Sequence, residues 1–156
     1  MARPPAEGQP APDFTLPSTA GEITLSERCK ERSVLLVFYP GDDTPVCTKQ
    51  LCDYRDHLGV FEDLGVDVLG INPQSLDSHR KFVEKHGLTF PLLADADKSV
   101  CRSYGALNLM GMAKRALVLV GPDQRVRYSR VDLPIFHRSA SELEEVIEGL
   151  APGLNS

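Results

Sequence analysis

The chain holds four cysteines and four histidines, and one cysteine stands where a nucleophile can be made. The apolar run from Ser33 to Tyr39 stops at Pro40-Gly41. A Gly41-Asp42-Asp43 loop follows. Thr44-Pro45 then has the form of a helix start, with Thr at the N-cap and Pro at the first helical position. Cys47 would therefore lie in the first turn, where unpaired backbone N–H groups and the positive end of the helix dipole face the sulfur. Both favour thiolate, the form that attacks electrophiles. Ligands of open α/β sheets also bind outside the carboxyl ends of strands. On position alone, a buried structural cysteine remains the alternative.

The other candidates are weaker. Cys52 follows Cys47 by five residues, which is neither C-x-x-C nor the i, i+4 spacing of helical zinc ligands. Cys29 lies in the polar stretch SERCKERS and Cys101 in a short predicted helix beside Val100 and Tyr104; both read as structural. His57, His79, His86 and His137 do not cluster, and surface or capping roles are expected of them. Asp42 and Asp43 read as turn formers. No metal or other cofactor is expected.

Composition narrows the classes of function. With 156 residues the chain suits one domain, residues 1–156. A net charge of −5 with scattered basic residues gives no stripe for nucleic acid. The opening MARPPAEGQPAPDF lacks the apolar core of a signal peptide. No run approaches the roughly 18 apolar residues of a membrane span. A cytoplasmic, reducing setting is expected, in which four cysteines are not structural disulfides.

The elements that must position Cys47 follow from periodicity. Residues 1–12 read as an extended arm. Strands are expected at 13–16, ended by Pro17, and at 23–25, as a hairpin. The unbroken apolar run 33–39 is a central strand covered on both faces. A helix is expected over 45–64, with Leu51, Leu58, Phe61 and Leu64 as its buried stripe. A strand at 66–71, a helix at 75–86 closed by Gly87, a strand at 90–93 and a helix at 98–104 follow. A hairpin of strands 116–120 and 125–131 precedes a last helix, 141–150. The order predicts an α/β fold, a mixed sheet with helices on both faces.

The segment Pro40-x-x-x-Thr44-x-x-Cys47 resembles the active-site motif of the peroxiredoxins. The wider run YPGDDTPVCTKQLCDYRD is similar to their bacterioferritin-comigratory, or Q-type, subgroup. Similarity extends to APDFTLP, to Val68-Leu69-Gly70-Ile71 with Asp77-Ser78-His79, to Phe90-Pro91-Leu92-Leu93 and to Tyr104-Gly105. The resemblance implies a thioredoxin-like fold and a thiol-dependent peroxidase. Cys47 would attack the terminal oxygen of hydrogen peroxide or an organic hydroperoxide. Thr44 and the Cys47 amide would donate to the breaking bond, and Pro40 would shield the sulfur. The family's arginine falls on Arg115, with Lys114 as competitor. Such a guanidinium favours thiolate and donates to the peroxide.

Cys52 matches one family position for the resolving thiol, which would give an intramolecular disulfide recycled by thioredoxin or a similar dithiol protein. Along an ideal helix that spacing puts the Cα atoms roughly 8–9 Å apart. A disulfide needs them within about 7 Å. The first turns of the helix must therefore unwind in each cycle. Cys29 or Cys101 could resolve instead if folding brings either near.

Two residues depart from the pattern. Val46 stands where Gly is frequent, and a narrower or more apolar approach is expected there. Gln50 stands where Glu is usual; Gln keeps the hydrogen bond but removes the negative charge, so Arg115 is expected to act more strongly on Cys47. Q-type members imply a monomer. A peroxide sensor or redox-switched binding protein using the same cysteine pair is the alternative function. A thioredoxin-like exchanger is disfavoured, because C-x-x-C is absent.

Overall fold

The apolar run that precedes the Cys47 loop forms the middle of a seven-stranded sheet. The computed structural model describes residues 4–133 and 137–154. In chain order the elements are β1 (Thr15–Ser18), β2 (Gly21–Thr24), α1 (Leu25–Glu31), β3 (Ser33–Phe38), α2 (Pro45–Asp56), α3 (Leu58–Asp63) and β4 (Val66–Asn72). They continue with α4 (Leu76–His86), β5 (Leu92–Ala94), α5 (Ser99–Ser103), β6 (Arg115–Val120), β7 (Val126–Asp132) and α6 (Ala140–Leu154). The sheet order is β2-β1-β5-β4-β3-β6-β7. β3 runs parallel to β4 and antiparallel to β6.

Alternation along β3 divides the core. Val34, Leu36 and Phe38 face one layer, with Leu25, Cys29, Val100, Cys101 and Tyr104 from the α1 and α5 side. Leu35 and Val37 face the other, with Cys47, Leu51 and Tyr54 of α2, Phe61 of α3, Phe82 of α4, and Leu143 and Ile147 of α6. Every residue of β3 is buried, as an unbroken apolar strand requires. Helices cover both faces, so the predicted mixed α/β sheet is the observed one. Leu51 is fully buried, and truncating such a leucine to alanine costs about 2–5 kcal/mol.

Several boundaries differ from the expectation. The first strand runs through Pro17 instead of ending there. Its bonding to β5 is confined to Ser18↔Leu93, so Pro17 sits on a nearly free edge where its missing donor is tolerated. The second arm of that hairpin is Gly21–Thr24, and Leu25 opens α1, a seven-residue helix whose polar sequence hid it. The predicted helix over 45–64 is two helices. His57 adopts φ −110° and ψ 12° between them, its amide donates to the Asp53 carbonyl at 3.2 Å, and its Nδ1 lies 2.9 Å from the same oxygen. The fifth predicted strand, expected at 90–93, is Leu92–Ala94 and starts two residues later. The first three residues of the expected N-terminal arm lie outside the described residues. The rest of the arm lies along the start of β7, where the Gly8 amide donates to the Val126 carbonyl at 2.7 Å.

α4 starts one residue later than expected, at Leu76 with Ser75 as its N-cap, and is closed by Gly87 as expected. Ser75 accepts from the Ser78 amide, and Gly87 takes φ 61° at the C-cap, where a side chain would be strained. No helix among the described residues is long and apolar enough to cross a membrane.

Candidate active site

The end of β3 feeds a short loop, Tyr39 to Thr44, which delivers the chain to Pro45 at the first position of α2. Cys47 is the third residue of that helix, so its amide is one of those without an intrahelical acceptor. The sulfur is fully buried. Asp43 takes φ 59°, a left-handed conformation that Asp tolerates better than most residues. Its carboxylate meets Lys85 Nζ at 2.7 Å and His86 Nε2 at 2.8 Å.

β6 supplies the cation. Its antiparallel pairing sets Ala116 opposite Phe38, so Arg115 stands just beyond the end of β3, beside the start of α2. Strand parity does the rest: Arg115 shares a face with Leu117 and Leu119, which pack in the layer that holds Cys47. Lys114 has the opposite parity, which decides between the two candidates. The Arg115 guanidinium donates through Nη2 to Cys47 Sγ at 3.2 Å and through Nη1 to Gln50 Oε1 at 2.5 Å. Arg115 is only 2% exposed. A guanidinium held this way stabilises negative charge on the sulfur.

Gln50 is oriented from its other end. Its Nε2 donates to Tyr54 Oη at 3.0 Å, and Tyr54 donates to the Arg138 carbonyl at 2.7 Å. Burial pushes the Tyr54 phenol well above its ordinary range, outweighing the bond from Gln50. Tyr54 thus stays a neutral donor, and the chain of bonds fixes the Gln50 carbonyl toward Arg115.

Thr44 occupies the N-cap position, but the expected capping bond is not made. Its hydroxyl donates to the Gly41 carbonyl at 3.3 Å. Pro40 is half-buried. With Met112, Ala113, Arg115 and Val131 it lines a cavity of about 410 Å³.

Cys47 and Cys52 both lie on intact α2, and all four cysteines are free thiols. Cys52 is half-buried and packs in the same layer as Cys47. Cys29 and Cys101 pack in the opposite layer, with the sheet between them and Cys47. Neither can reach Cys47 without opening the sheet. Burial raises both thiols above their ordinary range, and for Cys101 the Asp95 carboxylate adds to it. Both sulfurs are poor nucleophiles.

Two residues next to the site have larger roles than the sequence reading gave them. Asp42 is no mere turn former: its carboxylate accepts from Tyr39 Oη at 2.6 Å and Ser78 Oγ at 2.7 Å, and lies 2.7 Å from His79 Nδ1. Burial alone would raise that carboxyl, but the bonds from His79, Tyr39 and Ser78 together hold it below the usual carboxylate range. Tyr39 is pushed far up by burial and by the Asp42 charge. His79 is fully buried. The only signal in the sequence was its place in the Asp77-Ser78-His79 segment of the family resemblance. No group of three or more metal-ligating side chains is found among the described residues.

Comparison with known proteins places these features in company. Residues 7–129 match the model of the AhpC/TSA family. The chain is 36% identical over 150 residues to peroxiredoxin 2 of Thermoplasma acidophilum, covering 92% of this chain and 75% of that protein. It is 46% identical over 100 residues to a Coxiella burnetii protein named as a peroxiredoxin (bcp), covering 64% of this chain and 66% of the relative. The match thus spans just under two thirds of that relative's length. Reduced 2-Cys peroxiredoxin of Plasmodium vivax superposes with a TM-score of 0.88 at 27% identity, covering 94% of this chain and 82% of that one.

Proposed function

The chain belongs to the AhpC/TSA family, the peroxiredoxins, and on that premise we propose that it is a thiol-dependent peroxidase with Cys47 as its nucleophile. The observation that carries this is the 3.2 Å contact between the Arg115 guanidinium and Cys47 Sγ. In the first step the sulfur attacks the terminal oxygen of the hydroperoxide. An S–O bond forms and the O–O bond breaks. The leaving oxygen takes a proton and departs as water or an alcohol, and Cys47 becomes a sulfenic acid. Arg115 and the Cys47 amide are aimed where charge develops on the two oxygens. Thr44, whose hydroxyl spends its proton on a weak bond to Gly41, can turn it toward the peroxide. Pro40 covers the sulfur and confines the approach.

The cavity beside Pro40 and Arg115 supports organic hydroperoxides as substrates alongside hydrogen peroxide. Met112, Ala113 and Val131 offer an apolar wall to an alkyl group, and about 400 Å³ suits a small ligand.

Cys52 then resolves the sulfenic acid. Its thiol attacks Cys47, a disulfide forms and water leaves. The i, i+5 spacing on α2 requires the helix to open first. A thioredoxin-like dithiol reduces the disulfide by exchange, becoming oxidised itself. The protein works as a monomer in a reducing compartment. Peptide mass mapping after one equivalent of hydroperoxide tests this route. A Cys47–Cys52 disulfide is expected, and turnover should then depend on added thioredoxin. A Cys47 pairing with Cys29 or Cys101, or turnover without a dithiol, contradicts it.

A further inference from the structure

We propose that the buried Asp42–His79 pair is a clamp on the nucleophile's loop that sets how readily the start of α2 unwinds between oxidation and disulfide formation. The proposal rests on the peroxidase reading above.

Asp42 lies two residues before the N-cap of α2 yet is bonded to three separate parts of the fold. Its Oδ1 accepts from Tyr39 at the end of β3. Its Oδ2 accepts from Ser78 and meets His79 Nδ1, both on α4. The other ring nitrogen, His79 Nε2, faces the Leu93 carbonyl of β5 at 3.0 Å. The ring thus bridges the Asp42 carboxylate on one side and the Leu93 carbonyl on the other. The His79 and Asp42 side chains that meet here are almost wholly buried, at 0% and 4% exposure. The Asp42 amide also donates to Gln74 Oε1, and the Gln74 amide is held by Asn72 Oδ1 at 2.9 Å.

A loop that had only to turn would need none of this. Burying a carboxylate among polar side chains is expensive unless each of them is bonded. Here the geometry ties the segment carrying Pro40 and Thr44 to α4, to β5 and to the β4–α4 connection. None of these groups bonds to Cys47 Sγ, so Asp42, Ser78 and His79 are positioning residues. Closed, the clamp holds the first turn of α2 against the end of β3, where Arg115 reaches the sulfur. Released, it lets that turn open, which the Cys47–Cys52 bond requires. Weakening it must therefore act in opposite directions on the two steps.

Ser78→Ala and Asp42→Asn test this in the reduced full-length protein. Ser78→Ala removes one surface-side donor and keeps a folded variant available if Asp42→Asn does not fold. Hydrogen exchange of residues 41–50 should quicken by about tenfold, the equilibrium worth of one hydrogen bond to a charged group. Quenched-flow mass spectrometry should show Cys47 oxidising more slowly and the disulfide then forming faster than in the wild type. Loss of fold would quicken exchange throughout the chain, whereas release of the clamp quickens it in residues 41–50 alone. An unchanged or slower disulfide step in either folded variant overturns the proposal, as does unchanged exchange. If wild-type Cys47 meets peroxide no faster than free cysteine, the peroxidase reading fails instead, and exchange alone still judges the clamp.

Discussion

Arg115 Nη2 lies 3.2 Å from Cys47 Sγ while Nη1 of the same guanidinium donates to Gln50. The fork thus spans two residues of α2, the proposed nucleophile and a side chain fixed by Tyr54. Lysine carries the same charge as a point and cannot bridge both. Arg115→Lys should slow oxidation of Cys47 by roughly 10²–10³-fold, the usual cost of losing a donor aimed at a developing oxyanion. Stopped-flow decay of the thiol under excess peroxide measures it. A rate within about threefold of the wild type would mean that the fork does not matter.

Gln50 keeps a neutral partner on Arg115. A carboxylate in its place would set a negative charge against the guanidinium and weaken its field at the sulfur. It would also present a second acceptor to Tyr54, whose proton is committed to the Arg138 carbonyl. Gln50→Glu should therefore make Cys47 less reactive, slowing its alkylation by iodoacetamide at pH 7 by about three- to tenfold, about 0.7–1.4 kcal/mol. An equal or faster rate would show that the Arg115–Gln50 contact has no bearing on the sulfur.

Asp42 gives the fold an acid dependence of known sign. Its carboxyl binds protons less readily folded than unfolded, where about 3.9 is the reference. The stability it contributes is present above that value and is lost as pH falls through the lower folded value. The difference in urea midpoint between wild type and Asp42→Asn should shrink as pH drops below about 4. A difference that stays constant down to pH 2 would remove the charge from the account of this loop.

The setting of Cys47 was legible in the sequence because that setting is local. Strand end, Gly/Asp loop, Thr44-Pro45 and Cys47 occupy ten consecutive residues, and their geometry needs no distant partner. Arg115 came from family resemblance; strand parity then explains why it, and not Lys114, faces the sulfur. The Asp42–His79 contact joins residues 37 apart and exists only because α4 packs back across the sheet, so nothing local announced it. The break at His57 was hidden for a related reason. Leu58, Phe61 and Leu64 continue the apolar stripe of Leu51 across it, and no proline marks the change. α1 escaped because LSERCKE is short and polar, with only Leu25 and Cys29 buried.

One experiment bears on the centre of the account. Reduced protein is mixed with a small excess of hydroperoxide at pH 7, and loss of the Cys47 thiol is followed by rapid quench and intact mass. Cys47 should be oxidised at least about a thousandfold faster than free cysteine, a barrier lower by about 4 kcal/mol, and Cys47→Ser should consume no peroxide. Oxidation at the rate of free cysteine, or undiminished peroxide clearance by Cys47→Ser, would contradict it.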